Sequence, residues 1–286
     1  MSEQSAGVDL GRGLVVPNAV GLASGTAGYG FELAQLMDID RLGALYTKGT
    51  TVAPREGNPP PRVAETGGGM LNSIGLQNPG IDAVARDYAP RWRGWTIRVI
   101  VNVAGGSVDE YVHCAQVLDD VAEVAGLELN ISCPNISGGL DFGRDPDAAG
   151  RLVAAVRAVT ERCIIVKLSP NVTDIAAAAR AVEEAGADAV SAVNTYIGRK
   201  IHRASGRSVL PLGTGGLSGP AIQPLALAAV ASVCESVHIP VIGVGGIVDA
   251  ASAQDFLTVG ARAVQVGTAT FVNPEAALQV LDGLGV

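Results

Sequence analysis

The chain has 286 residues, 48% hydrophobic and 17% charged, a globular composition long enough to bury a large core. Its formal charge of −8 and pI near 4.9 argue against nucleic acid or an anionic membrane surface as a partner. No basic segment leads into an apolar one at the start, and no apolar run reaches the ~18 residues of a membrane span, so a cytoplasmic protein is expected.

Residues 1–9 (MSEQSAGVD) read as loose. Beyond them, short β-type runs alternate with Ala-rich helical segments. Strands are expected at 17–23, 44–48, 97–103, 127–131, 164–168, 189–194, 241–245 and 263–267. The clearest helix is 108–125, whose apolar positions recur every three or four residues. Segment 146–161 has Pro near its start, and 173–186 places Thr173 as an N-cap with Gly186 just past its end. Helices at 219–234, 249–259 and 273–285 complete the set. Eight strand–helix units with near-continuous apolar strands predict a (β/α)8 TIM barrel, a single domain over residues 1–286. A doubly wound sheet is the alternative, but its GxGxxG turn is absent, and SGTAGYG is the nearest approach. Long connections at 49–77 and 195–218 follow strands 2 and 6, so they are expected as insertions at the C-terminal mouth of the barrel.

Polar residues collect at the strand ends: Ser24, Lys48, Asn102, Asn130 with Cys133, Lys167, and Asn194 with Thr195. Glycine turns follow the last two strands, Gly245-Gly246 in GVGGI and Gly267-Thr268 in VGTAT. Such turns let backbone N–H groups approach a phosphate, although βα turns also favour glycine without a ligand. Lys48, Lys167 and Lys200 are the only lysines among 20 basic residues. Lys167 is placed to meet a cofactor ring or to pair with a carboxylate. Asn72, Asn102, Asn130 and Asn194 each offer a donor and an acceptor, as a small heterocycle with N–H–C=O edges requires, or as a loop brace requires. In NSIGLQN (72–78), the amides of Gly75 and Leu76 are candidate donors to a carboxylate whose charge Lys48 would offset. Cys133 sits among polar neighbours at the mouth, where a thiol suits general acid–base work. No histidine stands at a strand end to activate it for covalent catalysis. Cys114, Cys163 and Cys234 read as structural, and neither the cysteines nor His113, His202 and His238 have metal-ligand spacing, so no metal is expected.

The motifs LVVPNAVGLASGTAGYGFE, TKGTTVAPREGNPPPRVAET, GMLNSIGLQNPG, LNISCPN, VKLSPNVTDI, GVGGI and VQVGTATFVNPEA occur in this order. With them the chain resembles the class 1B dihydroorotate dehydrogenases over nearly its whole length. The resemblance implies one FMN per chain, contacted by Ser24, Lys48, Gly49, Asn102, Asn130, Lys167, Val193, Gly219, Gly245, Gly246, Gly267 and Thr268. Lys167 would then stabilise the reduced flavin. Dihydroorotate would meet Lys48, Asn72, Ser73, Ile74, Gly75, Leu76, Asn130, Asn194 and Thr195, with Asn135 also near the pocket. Cys133 would be the catalytic base, where class 2 relatives use serine and carry a membrane-directed extension. Its loop, with Gly138 and Gly139, would close over the substrate. The implied reaction is oxidation of (S)-dihydroorotate to orotate in de novo pyrimidine biosynthesis. Electrons would pass to NAD through a partner subunit holding FAD and a 2Fe-2S centre, in a heterotetramer built on a homodimer; this chain has no clustered cysteines for such a centre. Class 1A relatives are instead stand-alone homodimers using fumarate. An FMN-free barrel enzyme of the phosphosugar or aldolase type, with Lys167 as a Schiff-base amine, and a non-catalytic binding module are the readings from other classes.

Overall fold

The computed structural model describes residues 7–132 and 142–285. Eight short strands form its centre: β1 (Val20–Leu22), β2 (Ala44–Tyr46), β3 (Arg98–Val103), β4 (Gly126–Asn130), β5 (Cys163–Lys167), β6 (Ala189–Ala192), β7 (Val241–Val244) and β8 (Ala263–Val266). They close in that order into a parallel barrel, β8 pairing back onto β1. Seven of them lie within two residues of the stretch expected from the sequence, and β1 starts three residues later than expected. The apolar runs are buried on both faces, as parallel strands require.

Side chains alternate between the barrel interior and the surrounding helices. Outward residues such as Leu45, Val99, Leu127, Leu129, Ile164 and Val166 belong to the large core beneath the helices. Inward residues stack in tiers, each drawn from alternate strands. Ala44, Ala189 and Ala263 form a lowest tier of small residues, with Ile100, Ile165 and Ile242 above it. The next tier belongs again to the even strands and is polar: Tyr46, Glu128, Ser191 and Gln265, all at most 1% exposed. Asn102 on β3 and Lys167 on β5 stand above that, toward the mouth.

The expectation of a loose N-terminus is corrected for its last residues. Val8–Asp9 and Val15–Val16 form a two-stranded hairpin. Leu10, Leu14 and Val16 plug the barrel bottom, where the small tier leaves room for them. Among the described residues, six α-helices of nine residues or more pack outside: α1 (Val108–Asp119), α2 (Pro146–Arg157), α3 (Ile175–Glu184), α4 (Gln223–Cys234), α5 (Ala250–Thr258) and α6 (Ala276–Leu284). The N-cap of α3 is Asp174, which accepts from the Ala177 amide at 3.0 Å, and not Thr173 as the sequence suggested. Gly186 follows that helix at φ +99°, as expected.

The first two crossovers depart from strict strand–helix repetition. Residues 24–43 hold only the 3-10 turns Leu33–Gln35 and Ile39–Arg41, and residues 81–92 make one short irregular helical segment. An aromatic cluster covers the barrel there instead. Phe31 packs against Tyr88, Trp92 and Trp95, and the Arg91 guanidinium lies 3.5 Å from its ring centre.

The connections after β2 and β6 meet each other. Val63–Thr66 and Gly69–Asn72 come from the first, Tyr196–Gly198 and Gly215–Ser218 from the second. Together they make one antiparallel sheet, with Asn72 opposite Gly216 and Leu71 opposite Leu217. Buried Leu71 fixes the face turned toward the body of the protein.

Arg162, just before β5, ties the strand to the end of α1. Its guanidinium donates to the carbonyls of Leu118 (3.0 Å), Asp119 (2.6 Å), Val121 (2.8 Å) and Val124. Burial pulls its pKa down, against the opposing pull of Asp119 and Asp120. Arg162→Met strands these carbonyls without a donor and is expected to lower unfolding free energy by roughly 2–4 kcal/mol. Urea denaturation checks this, and a loss below about 0.5 kcal/mol would contradict the clamp.

Candidate active site

Sequence reasoning passed over the whole polar tier, Tyr46, Glu128, Ser191 and Gln265, and Glu128 is the member that bonds to Ser191, Gln265 and Asn102 around it. It is fully buried in β4. Its Oε2 accepts from Asn102 Nδ2 at 2.6 Å, and its Oε1 accepts from Ser191 Oγ at 2.7 Å and Gln265 Nε2 at 2.9 Å. Lys167 Nζ lies 3.8 Å from Oε2, with only 5% of its side chain exposed. The ammonium itself donates to Ser24 Oγ at 3.1 Å and Gln265 Oε1 at 3.3 Å. Of the two readings of Lys167, the carboxylate neighbour is therefore present, and the ammonium also reaches Ser24. Tyr46 has its pKa driven well above the usual phenol value, first by burial and then by the charge of Glu128, with a hydrogen bond to Gln265 opposing. The signal in the sequence was a charged residue in mid-strand, Leu127-Glu128-Leu129-Asn130. Alternation turns Glu128 and Asn130 inward together.

Three of the four predicted asparagines, Asn102, Asn130 and Asn194, converge. Asn194 Nδ2 donates to Asn130 Oδ1 at 3.2 Å, and Asn194 Oδ1 accepts from the Thr195 amide at 2.8 Å. Asn130 is also braced from the surrounding helices, its carbonyl accepting from Tyr111 OH of α1 at 2.7 Å. Gly49 joins this group to Asn102. A Cβ placed there would stand 3.0 Å from Asn102 Oδ1, 3.2 Å from Leu76 Cδ2 and 4.0 Å from Asn130 Nδ2. Thr195 abuts Gly216, where any side chain would collide with it.

Other predicted residues are engaged in holding the mouth loops. Asn72 Nδ2 donates to Gly216 O at 3.3 Å. Asn58 Nδ2 donates to both the Ser73 carbonyl and hydroxyl, and the Asn58 amide donates to Ile74 O. Gly75 and Leu76 both have left-handed φ, +75° and +55°, which turns the chain sharply at this point. Lys48 follows β2, half-buried. Burial lowers its pKa, and the nearby charge of Arg62 lowers it further.

On the opposite side of the mouth, Val193 follows a cis Ala192–Val193 peptide and donates its amide to Val244 O at 2.8 Å. Gly245 and Gly246 follow β7 with φ of +134° and +77°. Side chains there would strike Ala226 and Gln223 of α4, so glycine lets this turn sit against the helix. Gly267 follows β8. Thr268 Oγ1 donates to Ser218 Oγ at 2.8 Å, and its methyl lies 3.5 Å from the Cβ position of Gly219.

These residues fit a flavin ring. Asn102 Oδ1 is a buried acceptor without a hydrogen-bond partner among the described residues, and it lies beside Gly49, just beyond the end of β2. A ring N–H is the kind of donor it lacks, and Lys167 places a cation on the same side. Cys133 and Asn135 lie outside the described residues, directly after Ser132. Of the remaining cysteines, Cys114 and Cys163 are buried and Cys234 is partly buried; burial pushes the first two up to about 12 and the third to about 11. Such thiols are inert at neutral pH. Among the described residues, no three His, Cys, Asp or Glu gather as a metal site, and no helix is long and apolar enough to cross a membrane.

A family model described as dihydroorotate dehydrogenase matches residues 12–286. The chain is 52% identical over 278 residues to a Trichlorobacter lovleyi protein named dihydroorotate dehydrogenase B (NAD(+)), catalytic subunit, covering 97% of this chain and 91% of that one. Proteins of the same name from Geotalea uraniireducens and Porphyromonas gingivalis are 50% identical over 273 residues and 48% over 278. Coverage is 95% of this chain and 90% of the relative in the first case, 97% and 91% in the second.

The lowered pKa of Lys48 has a definite sign in stability. A partly desolvated ammonium destabilises the fold at every pH below its lowered pKa, and the penalty disappears as pH rises toward the ordinary value of 10.5. Wild type is therefore expected to gain stability relative to Lys48→Met as pH climbs through that window. Parallel urea titrations at neutral pH and near the ordinary lysine pKa read the difference, and a constant offset between the two proteins contradicts it.

Proposed function

The chain belongs to the dihydroorotate dehydrogenase family, and we propose that it oxidises (S)-dihydroorotate to orotate with one FMN held at its barrel mouth, a step of pyrimidine biosynthesis. The observation that supports this reading is the pair formed by buried Lys167 and the buried carbonyl of Asn102, unpartnered among the described residues, both at the C-terminal ends of barrel strands and joined through Glu128. FMN, when bound, supplies the acceptor for the hydride that leaves C6 of the substrate.

The residues have distinct tasks. Ser24, Lys48, Gly49, Asn102, Asn130, Lys167 and Val193 would surround the ring, and Gly219, Gly245, Gly246, Gly267 and Thr268 its phosphate-bearing chain. Lys167 sets a positive charge where negative charge develops. Asn72, Asn130, Asn194 and Thr195 present amides and a hydroxyl to the substrate's N–H and C=O edges. Ser73 to Leu76 form the turn that would receive its carboxylate, with Lys48 as the counter-charge. A bound carboxylate restores to Lys48 the stabilisation that desolvation removed. Cys133 takes the proton from C5 while the C6–H bond breaks, and the C5=C6 double bond forms between them.

The relatives' shared name, catalytic subunit of an NAD(+) enzyme, supports a partner chain. We place the FAD and 2Fe-2S carriers on that partner, in a cytoplasmic heterotetramer, with this chain as one FMN-binding barrel domain. The isolated chain would then oxidise dihydroorotate without reducing NAD.

Purified protein is expected to show the visible absorption bands of oxidised flavin and to bleach anaerobically when dihydroorotate is added. Colourless protein that takes up no FMN ends the reading. Cys133→Ala is expected to keep the flavin and to slow bleaching by about 10²–10⁴-fold. Stopped-flow absorbance measures that rate, and bleaching at the wild-type rate removes Cys133 from the proton transfer.

A further inference from the structure

We propose that Glu128 is a positioning residue of this site, a buried carboxylate that decides which end of two neighbouring amides faces the cofactor. The proposal rests on the flavin reading above and deepens it.

An ionised carboxylate is acceptor-only, so each neighbour must turn a donor toward it. Asn102 does so with Nδ2 at 2.6 Å, which leaves its Oδ1 on the mouth side, the buried atom without a partner. Gln265 does so with Nε2 at 2.9 Å, which leaves its Oε1 to accept from Lys167 at 3.3 Å. Ser191 donates to the same Oε1 of Glu128 at 2.7 Å, and Lys167 balances its charge at 3.8 Å. One anion thus orients two amides and holds one ammonium, although it contacts the mouth only through them.

A neutral glutamine at this position breaks the pattern whichever way its amide is turned. One end becomes a donor and meets either the Asn102 NH2 or the Ser191 and Gln265 donors. Rotating Asn102 relieves the first conflict but presents NH2 to the mouth in place of C=O. Rotating Gln265 in response to the second sets NH2 against the Lys167 ammonium. In each case the pattern offered to the ring is altered without any change to a residue that touches it.

The test compares wild type, Glu128→Gln, Glu128→Asp and Ser191→Ala. FMN affinity is read by fluorescence titration, the flavin midpoint potential by dye equilibration, and melting of the FMN-free chain separately. Glu128→Gln is expected to bind FMN at least about tenfold more weakly, roughly one well-placed hydrogen bond. Its bound flavin should have a higher midpoint potential, because Lys167 has lost the negative charge beside it. Glu128→Asp keeps the charge but is one methylene shorter, so affinity should fall while the potential stays nearer wild type. Ser191→Ala removes one donor and neither amide, and should bind FMN within about threefold of wild type. If Glu128→Gln does not fold, because Lys167 is left buried without its partner, Glu128→Asp decides the question by affinity. FMN affinity within about twofold of wild type at an unchanged potential in the Glu128 variants overturns the proposal while the flavin reading stands. Wild type that takes up no FMN overturns the flavin reading, and this proposal with it.

Discussion

A carboxylate and an ammonium share the interior of this barrel, and the upper half of the structure is arranged around them. Removing either charge from water is costly, and their mutual attraction offsets that only when the remaining hydrogen-bonding capacity is also met. Glu128 meets it with donors from three strands, Asn102, Ser191 and Gln265. Lys167 meets it with Ser24 and Gln265. The network spans the barrel, so its members hold one another at fixed heights below the mouth. One polar atom in it has no partner among the described residues, Asn102 Oδ1, and it lies beside Gly49 just beyond the end of β2.

The two lysines at the mouth show how environment separates residues of one type. Lys167 is nearly enclosed and stands beside an internal carboxylate. Lys48 is half-buried, and the charge that acts on it is that of another cation, Arg62. The first is a permanent part of the scaffold's charge balance. The second has no such internal counter-charge lowering the cost of its burial, which is the setting the proposed substrate carboxylate would complete. A cofactor ring and a carboxylate-bearing substrate ask for these two kinds of positive charge.

The lower barrel serves this arrangement by being unremarkable in chemistry and tight in packing. Small residues and isoleucines fill the tiers beneath Glu128, and the N-terminal hairpin closes the base. Water is thereby kept from the charged pair from below. Above, the four-stranded sheet joins connections that leave from opposite sides of the barrel, β2 and β6. It brings Asn72 alongside Gly216 and so toward Thr195, residues that the chain separates by more than a hundred positions.

The amino-acid order by itself determined the barrel and its mouth. Apolar runs a few residues long, alternating with amphipathic segments, leave a parallel closed sheet as the economical way to bury both strand faces, and the strand ends then define one face where Ser24, Lys48, Asn102, Asn130, Lys167 and Asn194 must gather. The motif order also carried the family. Tertiary structure alone decided which of those groups bond to each other. Glu128 and Gln265 looked like isolated polar residues within apolar strands, 137 positions apart, and only barrel closure sets them 2.9 Å from each other. The missing crossover helices and the shared mouth sheet were equally unreadable, because aromatic cover and pairing between distant insertions arise from contacts across the fold. Periodicity is a local property that sequence records directly; complementarity of donors and acceptors exists only once the chain has brought them together.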